Sequence, residues 1–163
     1  MVTVVLREVV SADAQWIFEA CQDVDIQRWT TVPRPYLFQH AEGFCRGEGA
    51  EEKVRWAIME QDSKDRGLGL ISIHTVKDGV AEIGYWVAPW ARGIGVCTTA
   101  VELLTEYAKG LDEIQAISAR VASTNAASQR VMEKSGFVAV GATEEPLPDG
   151  ELKVPGIVFQ RRI

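Results

Sequence analysis

The segment Trp90-Ala91-Arg92-Gly93-Ile94-Gly95-Val96-Cys97 places an arginine and two spaced glycines directly before a run of helical periodicity. A helix N-terminus presents unpaired N–H groups and a partial positive charge, so it holds anions. Glycine lets the backbone come close to such a ligand, and the Arg92 guanidinium could pair a phosphate through two bonds. A strand-to-helix turn that merely needs glycine would look the same. Two familiar phosphate loops are excluded. No Gly-Lys-Ser/Thr follows the glycines, which removes a P-loop NTPase. Thr98 stands where the third glycine of a dinucleotide fingerprint belongs, and the strand before the loop closes a meander rather than opening a βαβ unit.

The elements that must position this loop follow from periodicity. A β-branched run at 2–9 predicts a strand, and Ser11 caps a predicted helix over 12–21 with Trp16, Ile17 and Ala20 on one face. Pro33 and Pro35 predict a surface loop over 23–36. A second helix is predicted over 38–51. Strands at 53–60, 68–76 and 80–88 read as an antiparallel meander, with turns at 61–67 and at Asp78-Gly79. Val96, Ala100, Val101, Leu104, Tyr107, Ala108 and Leu111 then recur at helical spacing. A strand at 113–122, a helix over 125–137 closed by Gly136, and two last strands at 137–143 and 151–163 complete the chain. The order is β α α β β β α β α β β, a mixed α/β (α+β) sheet in one domain spanning 1–163.

Composition narrows the function. The 163 residues carry a net charge of −6, against a non-specific nucleic-acid binder with its basic face. No apolar run approaches the roughly 20 residues of a membrane span. The N-terminal stretch lacks the basic leader and cleavage site of a secretory signal. Cys21, Cys45 and Cys97 are odd in number and form no CxxC pair, which fits reduced thiols in a cytoplasm and no metal site.

Two motifs then resemble one family. Arg92-Gly93-Ile94-Gly95-Val96-Cys97 is similar to the [QR]-x-x-G-x-[GA] pyrophosphate loop of the GNAT acetyltransferases, departing only at Cys97. Asn125-Ala126-Ala127-Ser128 and Gly136-Phe137 match that family's next landmarks. The segments 81–96 and 125–137, with 27–36 as an acceptor-side loop, resemble the ribosomal-protein N-terminal acetyltransferase branch. The resemblance implies the acyl-CoA N-acyltransferase fold, a mostly antiparallel sheet splayed between its fourth and fifth strands and flanked by helices. It also implies acetyl-CoA as cosubstrate, with pyrophosphate on the backbone of Arg92, Gly93, Ile94, Gly95, Val96 and Cys97. Main-chain groups near Trp86 and Val87 would hold the pantetheine, and Asn125 would hydrogen-bond it. The branch is often homodimeric.

Acetyl transfer to an amine needs a proton acceptor for the amine and a proton donor for the departing thiolate. Asn125, Ser128 and Met132 fall on one helical stripe. Many members carry tyrosine where Met132 stands, and thioether sulfur cannot donate. Ser128, one turn nearer the helix start, has a hydroxyl, and the resemblance to the ribosomal branch implies it as the general acid, or else it is a small residue packing against CoA. Glu82, mid-strand among apolar neighbours, is the expected base, or else the solvated edge of an alternating strand or a charge partner for Arg120. His74 on the neighbouring strand is the rival base, and whether it shares a face with Glu82 is open. Cys97 is expected to pack rather than react. Trp29 and Tyr36 are the expected substrate contacts.

At pH 7 a lysine amine, pKa ~10.4, costs ~4–5 kcal/mol to deprotonate, and an α-amine, pKa ~7.7–8.0, costs ~1 kcal/mol. A weak or water-mediated base therefore favours a peptide or protein N-terminus, with small-molecule amines also open. The competing reading is a non-catalytic acyl-CoA-binding sensor or interaction domain on the same fold.

Overall fold

β1 (Val4–Glu8), β2 (Val54–Glu60), β3 (Gly69–Lys77) and β4 (Val80–Val87) pair antiparallel in chain order. They belong to a computed structural model that describes residues 2–64 and 66–163. Residue 65, inside the turn expected at 61–67, lies outside the described residues. The β3–β4 hairpin turns at Asp78 and Gly79, both with positive φ (52° and 79°), the signature of a type I′ turn. β5 (Ala116–Ala122) lies parallel to β4, and β9 (Gly156–Arg162) runs antiparallel between β5 and β6 (Val138–Ala142). The sheet order is β1-β2-β3-β4-β5-β9-β6, beside a small hairpin of β7 (Leu147–Asp149) and β8 (Leu152–Val154). The mixed sheet is the one the sequence pattern predicts, and its mostly antiparallel order is the one the family resemblance implies.

Strand alternation gives the sheet two apolar faces. Ile58, Ile71, Ile73, Ile83 and Ile117 point one way, onto α4 (Val96–Lys109) and α5 (Ala126–Lys134). The predicted stripe on α4 is buried there through Val96, Ala100, Val101, Leu104 and Ala108. Tyr107, expected in that stripe, is 44% exposed and meets the edge of Trp56. Ala57, Met59 and Leu70 point the other way, onto α1 (Ala14–Ala20) and α3 (Phe38–Cys45). Among the described residues no helix is long and apolar enough to cross a membrane.

The structure corrects four boundaries. The stretch 23–36 is not all loop: Val24–Trp29 forms α2, because the Asp23 carboxylate accepts the N–H groups of Asp25 and Ile26 at 3.1 and 3.0 Å. Pro33 and Pro35 lie beyond its end. α3 stops at Cys45 rather than 51, ahead of Gly47 and Gly49 in left-handed conformations. β5 starts at Ala116, since Ile114 N–H closes a turn onto Leu111. Pro155 has no N–H to donate and divides the expected last strand into β8 and β9.

Candidate active site

The parallel β4–β5 ladder runs from Val80↔Ala116 to Ile83↔Ala119 and ends there. β4 continues through Gly84, Tyr85, Trp86 and Val87 paired only with β3. β5 continues to Ala122 paired only with β9. The two strands therefore splay as expected, and Trp86 and Val87 have a backbone edge with no strand beside it. The gap opens into a cleft of about 1210 Å³ lined by both strands, the 92–98 loop and the first turn of α5.

Gly93 and Gly95 hold φ of 76° and 79°, where a side chain would be strained, and a methyl group at either would meet open space. Gly95 is the N-cap of α4 and accepts from Thr99 N–H. The N–H groups of Val96, Cys97 and Thr98 have no carbonyl within the helix to bond. Ile94 is exposed at the loop's tip and Val96 is buried beneath it. Arg92, expected to pair phosphate, has its guanidinium 2.6 Å from Asp23 Oδ2 and 3.6 Å from Asp25 Oδ2. It also donates to Val87 O at 3.4 Å. Its side chain ties the loop to α2, and carboxylates take up the guanidinium that was expected to pair phosphate. Burial pushes the Asp23 carboxyl up, but Arg92 and two backbone N–H groups outweigh it and hold it low. Cys97 sits in the first turn of α4, half-buried, its thiol pushed up to about 12 by burial. That is the environment of an inert thiol.

The expected catalytic residues lie on opposite faces of the sheet at this gap. Glu82 shares its face with Gly84 and Trp86, the side of α1 and α3. Its Oε1 lies 2.6 Å from Arg120 Nε on β5. Arg120 directly follows the last β4–β5 pair, so the ion pair spans the mouth of the splay. A bulge in β3 sets Ile73 opposite Ile83 but Thr75 opposite Glu82, leaving His74 as the extra residue. His74 turns onto Gly84, where an added methyl would overlap its imidazole. Its Nε2 lies 3.4 Å from Ser72 Oγ. His74 and Glu82 thus share one face and line one cleft.

On the other face, Asn125 Oδ1 caps α5 by accepting Ser128 N–H at 3.2 Å. This leaves its amide nitrogen as a donor toward the cleft it lines. Ser128 Oγ lies 2.6 Å from the hydroxyl of Tyr85. Tyr85 was missed by the motif reading, which followed the helix stripe and ignored the strand facing it. Met132, next on that stripe, is 0% exposed.

Trp29, Tyr36 and Trp86 line the α2 end of the cleft. Trp29 ends α2 with the Arg28 guanidinium 4.3 Å from its ring centre. Tyr36 is 5% exposed and forms a wall of the second core, its phenol pushed up by burial and by Cys21. Trp86 packs on Trp16 at 6.0 Å. The β7–β8 hairpin reaches over this end. Asp149 accepts from Arg28 at 2.6 Å and from Thr124 at 2.8 Å, clasping α2 to the turn before α5.

Comparison with known proteins fits this geometry. Residues 3–138 match the model of the acetyltransferase (GNAT) domain. Over 147 residues the chain is 26% identical to the uncharacterized N-acetyltransferase YoaA of Bacillus subtilis (strain 168), covering 86% of this chain and 82% of that protein. The fold superposes on a microcin self-immunity acetyltransferase, MccE, solved with acetyl-CoA and AMP, with a TM-score of 0.83 at 16% identity. That match covers 98% of this chain and 92% of the other. It also superposes on RimL, a ribosomal-protein α-N-acetyltransferase solved with CoA, with a TM-score of 0.81 at 17% identity. There the coverage is 99% and 94%. The structural likenesses speak for the fold, and the domain match, spanning most of the chain, speaks for descent: the protein belongs to the GNAT family of N-acetyltransferases.

Proposed function

We propose that the protein transfers an acetyl group from acetyl-CoA directly to a primary amine, with Glu82 as base and Ser128 as acid. The observation that carries this reading is that one cleft at the β4–β5 splay is lined by a carboxylate from one face of the sheet and a hydroxyl from the other. The fit to the cosubstrate rests on the loop. Free N–H groups of the first α4 turn, beside two left-handed glycines with open space before them, form a cradle for a pyrophosphate. When bound, acetyl-CoA supplies the thioester whose carbonyl the amine attacks and whose C–S bond breaks. The unpaired edge of Trp86 and Val87, with the Asn125 amide, orients the pantetheine. Glu82 is held by Arg120 through Oε1, so Oε2 is the oxygen that orders a water to take the amine's proton. Ser128 gives its proton to sulfur. Trp29 and Tyr36 wall the acceptor end.

Within this reading the acceptor is an α-amine of a peptide or protein, or a small-molecule amine of similarly low pKa. A water-mediated base suits the ~1 kcal/mol deprotonation cost of an α-amine better than the ~4–5 kcal/mol of a lysine. The ribosomal-protein acceptor named for RimL supports the same choice. The test is thiol release from acetyl-CoA across a panel of amines. Turnover is expected with at least one α-amine, and Ser128→Ala is expected to lower kcat ~10²-fold with KM for acetyl-CoA little changed. Binding of acetyl-CoA without turnover of any amine would leave the non-catalytic binding module in its place.

A further inference from the structure

Tyr85 enters the site from the strand facing α5. Strand alternation puts it on the α4–α5 face with Ile83, and its hydroxyl stops 2.6 Å from Ser128 Oγ. Position 132, one turn further along α5, presents only a wholly buried thioether. The helix therefore brings no phenol of its own to the cleft, and β4 supplies one to the same helical stripe.

Building on the acid role assigned to Ser128 above, we propose that Tyr85 is a positioning residue for acetyl transfer. Its O–H donates to Ser128 Oγ and so turns the Ser128 proton toward the thioester sulfur. The direction of the bond follows from chemistry. A phenol is a stronger acid than an alcohol, so the pair is lower in energy with tyrosine donating. A serine hydroxyl has one proton and two lone pairs, and can accept from Tyr85 while donating elsewhere. Burial pushes the Tyr85 phenol up, which keeps it protonated and able to donate.

The same bond gains strength as the reaction proceeds. When Ser128 yields its proton, negative charge builds on Oγ, and 2.6 Å is the length of a charge-assisted O–H···O⁻ bond. A donor fixed before the reaction needs no reorganisation to meet that charge. Protons balance without a further reactant. The ammonium form of the acceptor surrenders two protons in becoming an amide. One of them, through solvent, replaces the proton that Ser128 gives to sulfur; the other leaves to bulk water.

The test is a double-mutant cycle on the full chain, read in steady-state kinetics with acetyl-CoA and the best amine. Tyr85→Phe fills the same space without the hydroxyl. It is expected to lower kcat about 10- to 100-fold, the scale of a hydrogen bond to a charged group, with KM for acetyl-CoA nearly unchanged. In a Ser128→Ala background the same change is expected to add almost nothing. A 3-fluorotyrosine at position 85 keeps the hydroxyl and is expected to restore the rate, which distinguishes lost donation from disturbed packing. Full kcat in Tyr85→Phe beside a crippled Ser128→Ala would overturn this inference and leave the proposed function standing. Equal losses from Tyr85→Phe in both backgrounds, or a loss confined to KM, would also overturn it. Full activity in Ser128→Ala would remove the acid role itself.

Discussion

At the scale of the residue, Glu82 is the group whose role is most open to measurement. Its side chain is 25% exposed and its partner Arg120 is 50% exposed. An ion pair this open contributes about 0–1 kcal/mol to folding, so its presence is weakly explained by stability. Glu82→Gln keeps the shape but loses the charged acceptor. It is expected to lower kcat/KM ~10²-fold while leaving the melting temperature nearly unchanged, since Arg120 stays solvated. Steady-state kinetics and a thermal melt check both halves. His74→Gln is the control, because the β3 bulge brings that imidazole onto the same face. A loss found there and absent from Glu82→Gln would move the base to His74. The sequence exposed Glu82 as a lone carboxylate in an apolar strand, and Ser128 and Asn125 as a helical pair. It concealed two things. The bulge at His74 depends on register with β4, and the Tyr85–Ser128 contact joins residues 43 apart in sequence.

At the scale of the element, the loop before α4 was legible because the role proposed for it rests on backbone. Positive φ at two positions demands glycine, and helical periodicity after Gly95 marks where free N–H groups must lie. α2 was overlooked although its signal was present. Asp23 is a strong N-cap, and the prolines that suggested a loop fall after the helix has ended. Missing α2 also hid what Arg92 does, since the carboxylates that hold it flank or belong to that helix. β8 and β9 merged in the sequence reading because β-branched and apolar residues lie on both sides of Pro155, whose missing N–H separates them. The loop gives a second expectation. Gly95→Trp puts a large side chain at φ 79° on the cradle, in space that no protein atom fills within 4 Å. The left-handed backbone costs a non-glycine residue roughly 1–2 kcal/mol. The variant is therefore expected to fold with a melting temperature lowered by a few degrees, and to lose acetyl-CoA binding in calorimetry. Unchanged affinity would take the pyrophosphate away from this loop.

At the scale of the whole molecule, two cores share one sheet, and Asp13 fastens the smaller to it. Asp13 is 2% exposed. It accepts two bonds from Arg7 on β1 at 2.8 and 2.7 Å. It also accepts from Val10 N–H at 2.8 Å and from the Trp16 indole at 2.8 Å. Burial pushes its carboxyl up, but these four donors outweigh it and hold the group below the ordinary carboxylate range. A carboxylate with a lowered folded pKa contributes stability that is complete above its unfolded value, ~3.9. That contribution is lost as pH falls through the folded value. Asp23, Glu102 and Asp149 are lowered as well, by Arg92, Arg161 and Arg28, so they act in the same window. Urea midpoints are expected to hold between about pH 7 and 5 and to fall below about pH 4. Asp13→Ala strands the Trp16 and Val10 donors and leaves Arg7, 35% exposed, without its partner. The cost at neutral pH is expected at about 3 kcal/mol, the low end for a broken buried pair, because Arg7 keeps some water. For a chain of this length that is a drop of roughly 10 °C in melting temperature. The same variant loses less stability than the parent between about pH 5 and 3, since the group that titrates there is gone. A parallel fall in both proteins would show that Asp13 is not what makes the smaller core acid-labile.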